Sequence, residues 1–280
     1  MHTTEGINGM SKVAIHSSCG SSAEIYLQGA HLTSWKTAEG VERLFLSPRS
    51  EFEPGKAIRG GVPLIFPQFS GLGPLPRHGF ARNLEWELIE TGGGMVRLRL
   101  TEDAGTMEVW PHPFTCETIL RLGDDALEMT FAVSNTGSEV FSFQASLHGY
   151  FAVGSLTKAE VRGLGGLRWR DNPTASERED SPELISFGSE IDRTFYGAGD
   201  RIAQLIDGAH RLRFTQMGFD DTVVWNPGPE VGARIGDLEP TGYRQFVCVE
   251  AASIEPPVSL APGSSWTGLQ KVECLSSDCR

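Results

Sequence analysis

The chain has no apolar run approaching the roughly 20 residues that span a bilayer, so no membrane segment is expected. Basic residues are scarce, 24 Lys and Arg against 36 Asp and Glu, and a formal charge of −12 repels nucleic acid on average. A basic pocket inside an acidic surface is compatible with that balance. Five cysteines, Cys19, Cys116, Cys248, Cys274 and Cys279, form an odd set without metal-ligand spacing. Cys116 and Cys248 stand in strand-like apolar runs and are expected as buried thiols, whereas Cys274 and Cys279 could pair or be exposed. The opening MHTTEGING has neither the basic start nor the apolar core of an export signal, so reduced thiols in a cytoplasmic protein are expected. Phosphate-cradling glycine loops, a serine nucleophile elbow, HExxH and CxxC are all missing, and nothing calls for a metal, a nucleotide or another cofactor.

A helical period is missing too. No window of a dozen residues gives a convincing amphipathic helix, which disfavours an α/β fold built on crossovers. No repeat of fixed period argues for a propeller. What the sequence does have is strict alternation. Val96, Leu98 and Leu100 alternate with Arg97 and Arg99, and Leu127, Met129, Phe131 and Val133 with Glu128, Thr130 and Ala132, the period of half-buried strands. Similar runs cover 23–27, 114–122, 141–147, 190–196, 201–206, 211–215, 222–225, 246–251 and 266–272, separated by turn signals such as Gly92–Gly94, Gly123–Asp125 and Asn135–Gly137. The composition, 39% hydrophobic and 21% charged, is that of a soluble globular protein. The expected fold is all-β, a large antiparallel sandwich with few short helices. The expected organisation is a flexible N-terminus over 1–9, one β-sandwich catalytic domain over 10–275 and a tail over 276–280. Polar residues around Pro173 and Pro182 make Arg168 to Glu183 a long surface loop by this reading.

One stretch, Ile58 to Trp86, is apolar enough to lie inside yet holds Arg59, Gln68, Arg77, His78 and Arg82 among glycines and prolines. Inward guanidinium groups are costly unless something pairs with them, so the stretch reads as the floor of a site for a polar, anionic ligand. Arginines paired with the many carboxylates are the ordinary alternative. Forked guanidinium donors suit phosphate or carboxylate oxygens. On the strand running from Phe141 to Tyr150, parity puts Ser142, Gln144, Ser146, His148 and Tyr150 opposite the apolar face. His148 is therefore a site candidate or a structural histidine. Glu250 lies in Phe246-Val-Cys-Val-Glu-Ala-Ala252, where both strand faces look buried, so it is functional or bridged to an arginine. Burial would favour its protonated form and arginines would oppose that, a tension that tunes a general base. Trp225, with Asn226, offers an aromatic platform and an amide to a sugar face, and Asp192 could accept from hydroxyls or simply pair with Arg193.

Taken together these segments resemble the aldose 1-epimerase (galactose mutarotase-like) superfamily, and within it the D-hexose-6-phosphate mutarotase branch. The matching pieces are Ile58-Arg-Gly-Gly-Val-Pro63, Phe66-Pro-Gln68, His78-Gly-Phe-Ala-Arg82 with Trp86, Leu147-His148, Asp192-Arg193, Val224-Trp-Asn-Pro227 and Val249-Glu-Ala251, in the family's order. The resemblance implies a β-supersandwich with the sugar in an open groove, His148 as acid and Glu250 as base. It implies that Arg59, Gln68, His78, Arg82 and Asp192 hold a sugar phosphate and its hydroxyls, Arg59 and Arg82 touching the phosphate. Arg77 departs from it, since glutamine is expected before the His-Gly pair. The expected partner is a hexose 6-phosphate acted on by a monomer, with acid and base on opposite sides of one pyranose. A neutral-hexose epimerase and a carbohydrate-binding sandwich without catalysis are the alternatives. A glycosidase is disfavoured, because only one carboxylate looks site-like.

Overall fold

The computed structural model describes residues 2–208 and 210–275. Among these residues the strands make three antiparallel sheets, and the helices are two short α-helices, Ala104–Val109 and Gly228–Gly232, with a few 3-10 turns. The expected all-β architecture is what the chain adopts.

A four-stranded sheet contains Thr4–Glu5, Ser11–His16, Ser22–Tyr26 and His31–Lys36. Within the stretch expected to be a flexible end, Thr4 and Glu5 pair with Lys12 and Ser11, and the Ile7 amide donates to the Tyr26 hydroxyl. The nine-stranded sheet runs in spatial order Leu184–Ser186, Ala159–Arg162, Ala203–Asp207, His210–Met217, Ser265–Leu275, Ala126–Asn135, Phe114–Leu122, Met95–Thr101 and Glu87–Gly92. Its strands keep the alternation of the sequence: Phe114, Cys116, Thr118 and Leu120 are buried while Thr115, Glu117 and Ile119 are half-buried. Gly92, Gly93 and Gly94 all have positive φ, which lets Glu87–Gly92 turn tightly into Met95–Thr101.

The third sheet positions the site. Its order is Ser176–Arg178, Trp169–Asp171, Ile191–Phe195, Asp221–Asn226, Phe246–Leu260, Phe141–Leu147 and Leu64–Ile65, and Tyr150–Ala152 also pairs with Phe246–Leu260. Phe246 through Ile254 are all buried, since this central strand has the apolar core on one face and the site on the other. The core joins the sheets through aromatic contacts. Phe66 alone has Phe80, Trp110, Phe114, Phe131 and Phe143 within 6.0 Å centroid distance, and each buried ring of this kind stabilises the fold by about 1.5–3 kcal/mol.

The expected surface loop over Arg168 to Glu183 is corrected. It contains a β-hairpin, with Trp169 opposite Arg178 and Asp171 opposite Ser176, whose inner strand joins Ile191–Phe195. Trp169 is buried, with the guanidinium groups of Arg178 and Arg193 over its ring at 5.2 and 4.7 Å. The hairpin's two strands have just three residues each, so alternation had too little length to register.

Candidate active site

Five strands of the third sheet place their side chains in two rungs that cross it. In the register Thr194 stands opposite Arg170 and Val223, and Val223 opposite Glu250. In the next rung Asp192 stands opposite Trp225, Trp225 opposite Cys248, and Cys248 opposite Tyr150. Except for Cys248, which is fully buried, these residues line one open cleft of about 800 Å³ together with Arg59, Arg77, His78, Arg82, Gln144, His148, Asn172 and Glu190. Of the eight residues singled out as site candidates, seven meet there: Arg59, His78, Arg82, His148, Asp192, Trp225 and Glu250.

The eighth, Gln68, does not line the cleft. Its amide donates to the carbonyls of Ser70 and Leu75 and its Oε1 accepts from the Leu75 amide, so it braces the loop that carries Arg77 and His78. Asn226 is likewise structural: fully buried, it donates to the carbonyls of Tyr243 and Phe246 and accepts from the Gly228 amide. The amide offered to the cleft belongs instead to residues such as Asn172, which donates to Asp192 Oδ1 at 2.7 Å. Asp192 therefore pairs with Asn172, while Arg193 lies over Trp169.

Glu250 is 1% exposed and has no arginine partner. Ser146 Oγ donates to its Oε2 at 3.1 Å, and its Oε1 stands 3.3 Å from His148 Nδ1. That approach is close but too far out of line to be a hydrogen bond, which leaves Nδ1 without a formal partner. Burial, then the neighbouring Asp192, pushes the Glu250 carboxyl well above its ordinary range. Burial, then Arg82 and Arg59, lowers His148 to about 3. The His148 ring stacks on Tyr150 at 4.9 Å and 10°, and meets His78 and Trp225 nearly edge-on at 5.7 Å. Three aromatic neighbours of this kind fix the plane of the imidazole. His78 is itself held by a left-handed backbone, φ 71°, and by its Nδ1 accepting from the Ser70 amide. Burial keeps it uncharged.

His148 and Glu250, far apart in sequence, stand side by side in the cleft, with Nδ1 and Oε1 3.3 Å apart.

Three of the guanidinium groups lining the cleft, those of Arg59, Arg77 and Arg82, are close enough to act on one another. Arg59 donates from Nε to Asp237 Oδ1 and from Nη1 to the Tyr150 hydroxyl, each at 3.0 Å. Tyr150 and Asp237 hold it firmly protonated, and burial pushes the Tyr150 hydroxyl up to about 12. Arg82 Nη2 donates to the Arg77 carbonyl, but its Nε is buried without a partner, and burial disfavours its charge. A buried cation with unused donors is a seat for an anion. Gly60 and Gly61 let this wall close up: a Cβ on either would overlap the Phe45 or the Leu32 carbonyl. Tyr150, Asp237, Ser146, Thr194 and Asn172 were not singled out from sequence. Parity did place Ser146 and Tyr150 on the polar face, and no sequence signal tied Asp237 to Arg59.

Among the described residues no group of three His, Cys, Asp or Glu side chains is arranged to hold a metal ion, and no helix is long and apolar enough to cross a membrane. Cys116 and Cys248 are buried free thiols as expected, Cys274 is half-buried, and Cys279 lies outside the described residues.

Comparison with known proteins gives one answer. The family model described as aldose 1-epimerase matches residues 11–273. A protein of Cenchrus ciliaris provisionally named glucose-6-phosphate 1-epimerase is 36% identical over 93% of this chain and 84% of its own. A protein of the same provisional name from Escherichia coli is 37% identical over 82% of this chain and 79% of its own. The crystal structure of a provisionally named mutarotase from Salmonella typhimurium superposes with a TM-score of 0.87 at 28% identity, covering 99% of this chain and 97% of that one. With its fold and nearly its whole length matched in this way, the chain belongs to the aldose 1-epimerase family.

Proposed function

We propose that the protein interconverts the α and β anomers of a hexose 6-phosphate, glucose 6-phosphate foremost. The observation that carries this reading is the side-by-side pair of His148 and Glu250 in a cleft that also holds Arg59 and Arg82. In the reaction Glu250 takes the proton of the anomeric hydroxyl. The bond from C1 to the ring oxygen breaks, its electrons go to that oxygen, and the oxygen takes a proton from His148. Rotation about C1–C2 turns the aldehyde, and the same steps in reverse close the ring on its other face. The pair begins and ends with one proton, so no cofactor is drawn into the balance.

Electrostatics link the arginines to the pair. In the free protein, burial raises Glu250 and lowers His148, so the shared proton rests on the carboxyl. A phosphate dianion against Arg82 and Arg59 offsets the two cations that hold His148 down, and moves that proton toward the imidazole. Asp192, Asn172, Thr194 and Trp225 line the same cleft, and by this reading the first three receive the sugar hydroxyls and Trp225 faces the ring. The reading takes residues 10–275 as one catalytic domain of a monomer acting in the cytoplasm.

The test compares the equilibration of freshly dissolved α-glucose 6-phosphate and α-glucose. Acceleration favouring the phosphorylated sugar is expected. Equal efficiency on both would assign the cleft to neutral hexoses, and ligand-induced stabilisation without acceleration would make it a binding module.

A further inference from the structure

Ser146 is fully buried, and its hydroxyl is the one side-chain hydrogen-bond donor to Glu250 among the described residues. Register explains the contact. Ser146 stands opposite Ala252 across the antiparallel pair, and Glu250 lies two residues from Ala252 on the same face, within diagonal reach. The bond engages Oε2, while Oε1 is the oxygen beside His148. A carboxylate without such an anchor turns easily about its last torsion, which has broad wells.

We propose that Ser146 is a positioning residue that fixes Oε2 of Glu250, so that Oε1 alone is presented to the anomeric hydroxyl. Its kinetic consequence rests on the epimerase reading given above. The hydroxyl has a second effect, because a donor to the ionised carboxylate favours that form and opposes the upward push of burial. The other titratable or charged groups facing the carboxyl are Cys248 on its own strand, Asp192 on Ile191–Phe195, His148 and Tyr150 on the neighbouring segment, and Arg77 on the loop. None of them hydrogen-bonds to it.

The experiment is Ser146→Ala in the full chain. The expected result is a kcat about tenfold lower with KM for glucose 6-phosphate within about twofold of wild type. The acid limb of the kcat profile should move about one pH unit higher. A 13C-NMR titration of Glu250 should move the same way, and that measurement needs no turnover. Ser146→Cys, nearly isosteric with a weaker donor, should fall between the two and carries the same comparison if the alanine variant does not fold. A Glu250 titration unmoved in both variants overturns the proposal, as does a loss of kcat with an unshifted acid limb. If the wild-type chain fails to exchange anomers at all, the epimerase reading falls, and the carboxyl titration still decides whether Ser146 holds Glu250.

Discussion

His148 and Glu250 face each other across adjacent antiparallel strands: Leu147 pairs with Ala251 and Tyr150 with Cys248, so the register sets residue 148 against residue 250. The ladder is interrupted at His148 and Gly149, which frees both side chains of the pair to open into the cleft while the flanking residues keep them aligned. On the proposed reading, acid–base chemistry is thus built into the pairing of two strands rather than entrusted to loops.

Removing the Arg82 charge should separate recognition of the phosphate from turnover of the sugar. Arg82→Gln is expected to raise KM for glucose 6-phosphate by about 10–100-fold, the worth of one charge-assisted contact, while turnover of glucose stays within about twofold. Steady-state kinetics on both sugars checks this. Its unpartnered Nε in the free protein is the reason for choosing Arg82 over Arg59, which already has Asp237.

Phosphate binding should change the titration of the imidazole. Arg82 and Arg59 add to burial in holding His148 at about 3, so a dianion beside them raises its pKa. NMR of His148 should show a neutral ring at pH 6 in the free protein and an upward shift of its titration with glucose 6-phosphate. Glucose should leave the titration near its free position.

Acid should weaken the fold partly through His31, which is fully buried with Nε2 against the Gly60 carbonyl and is lowered by burial to about 4. The unfolded chain takes up a proton near pH 6.5 that folded His31 refuses, so its contribution is complete above 6.5 and lost as the pH falls toward 4. His31→Gln should therefore flatten the dependence of unfolding free energy on pH by about 1.4 kcal/mol per pH unit between pH 6 and 4.5. Denaturant unfolding at several pH values measures the slope.

Particular residues show where the sequence was legible. Phe114–Leu122 and Phe141–Leu147 begin and end where alternation placed them, because one face of each meets the core. Glu250 stood out because a carboxylate in an apolar strand must be accounted for. The hairpin at Trp169 escaped notice because polar residues face both solvent and the cleft there, and Asp237 because its partner Arg59 is 178 positions away. Gln68 looked like a ligand and is a loop brace, a distinction that lies in hydrogen-bond geometry and not in residue type.

The most direct measurement is anomer exchange of glucose 6-phosphate by NMR exchange spectroscopy with Glu250→Gln beside the wild type. The amide keeps the size of the side chain and an acceptor for Ser146, and cannot take the anomeric proton. The account predicts that exchange is abolished while the melting temperature and the Kd for the sugar phosphate stay close to wild type. A Glu250→Gln protein that exchanges anomers at the wild-type rate would contradict it.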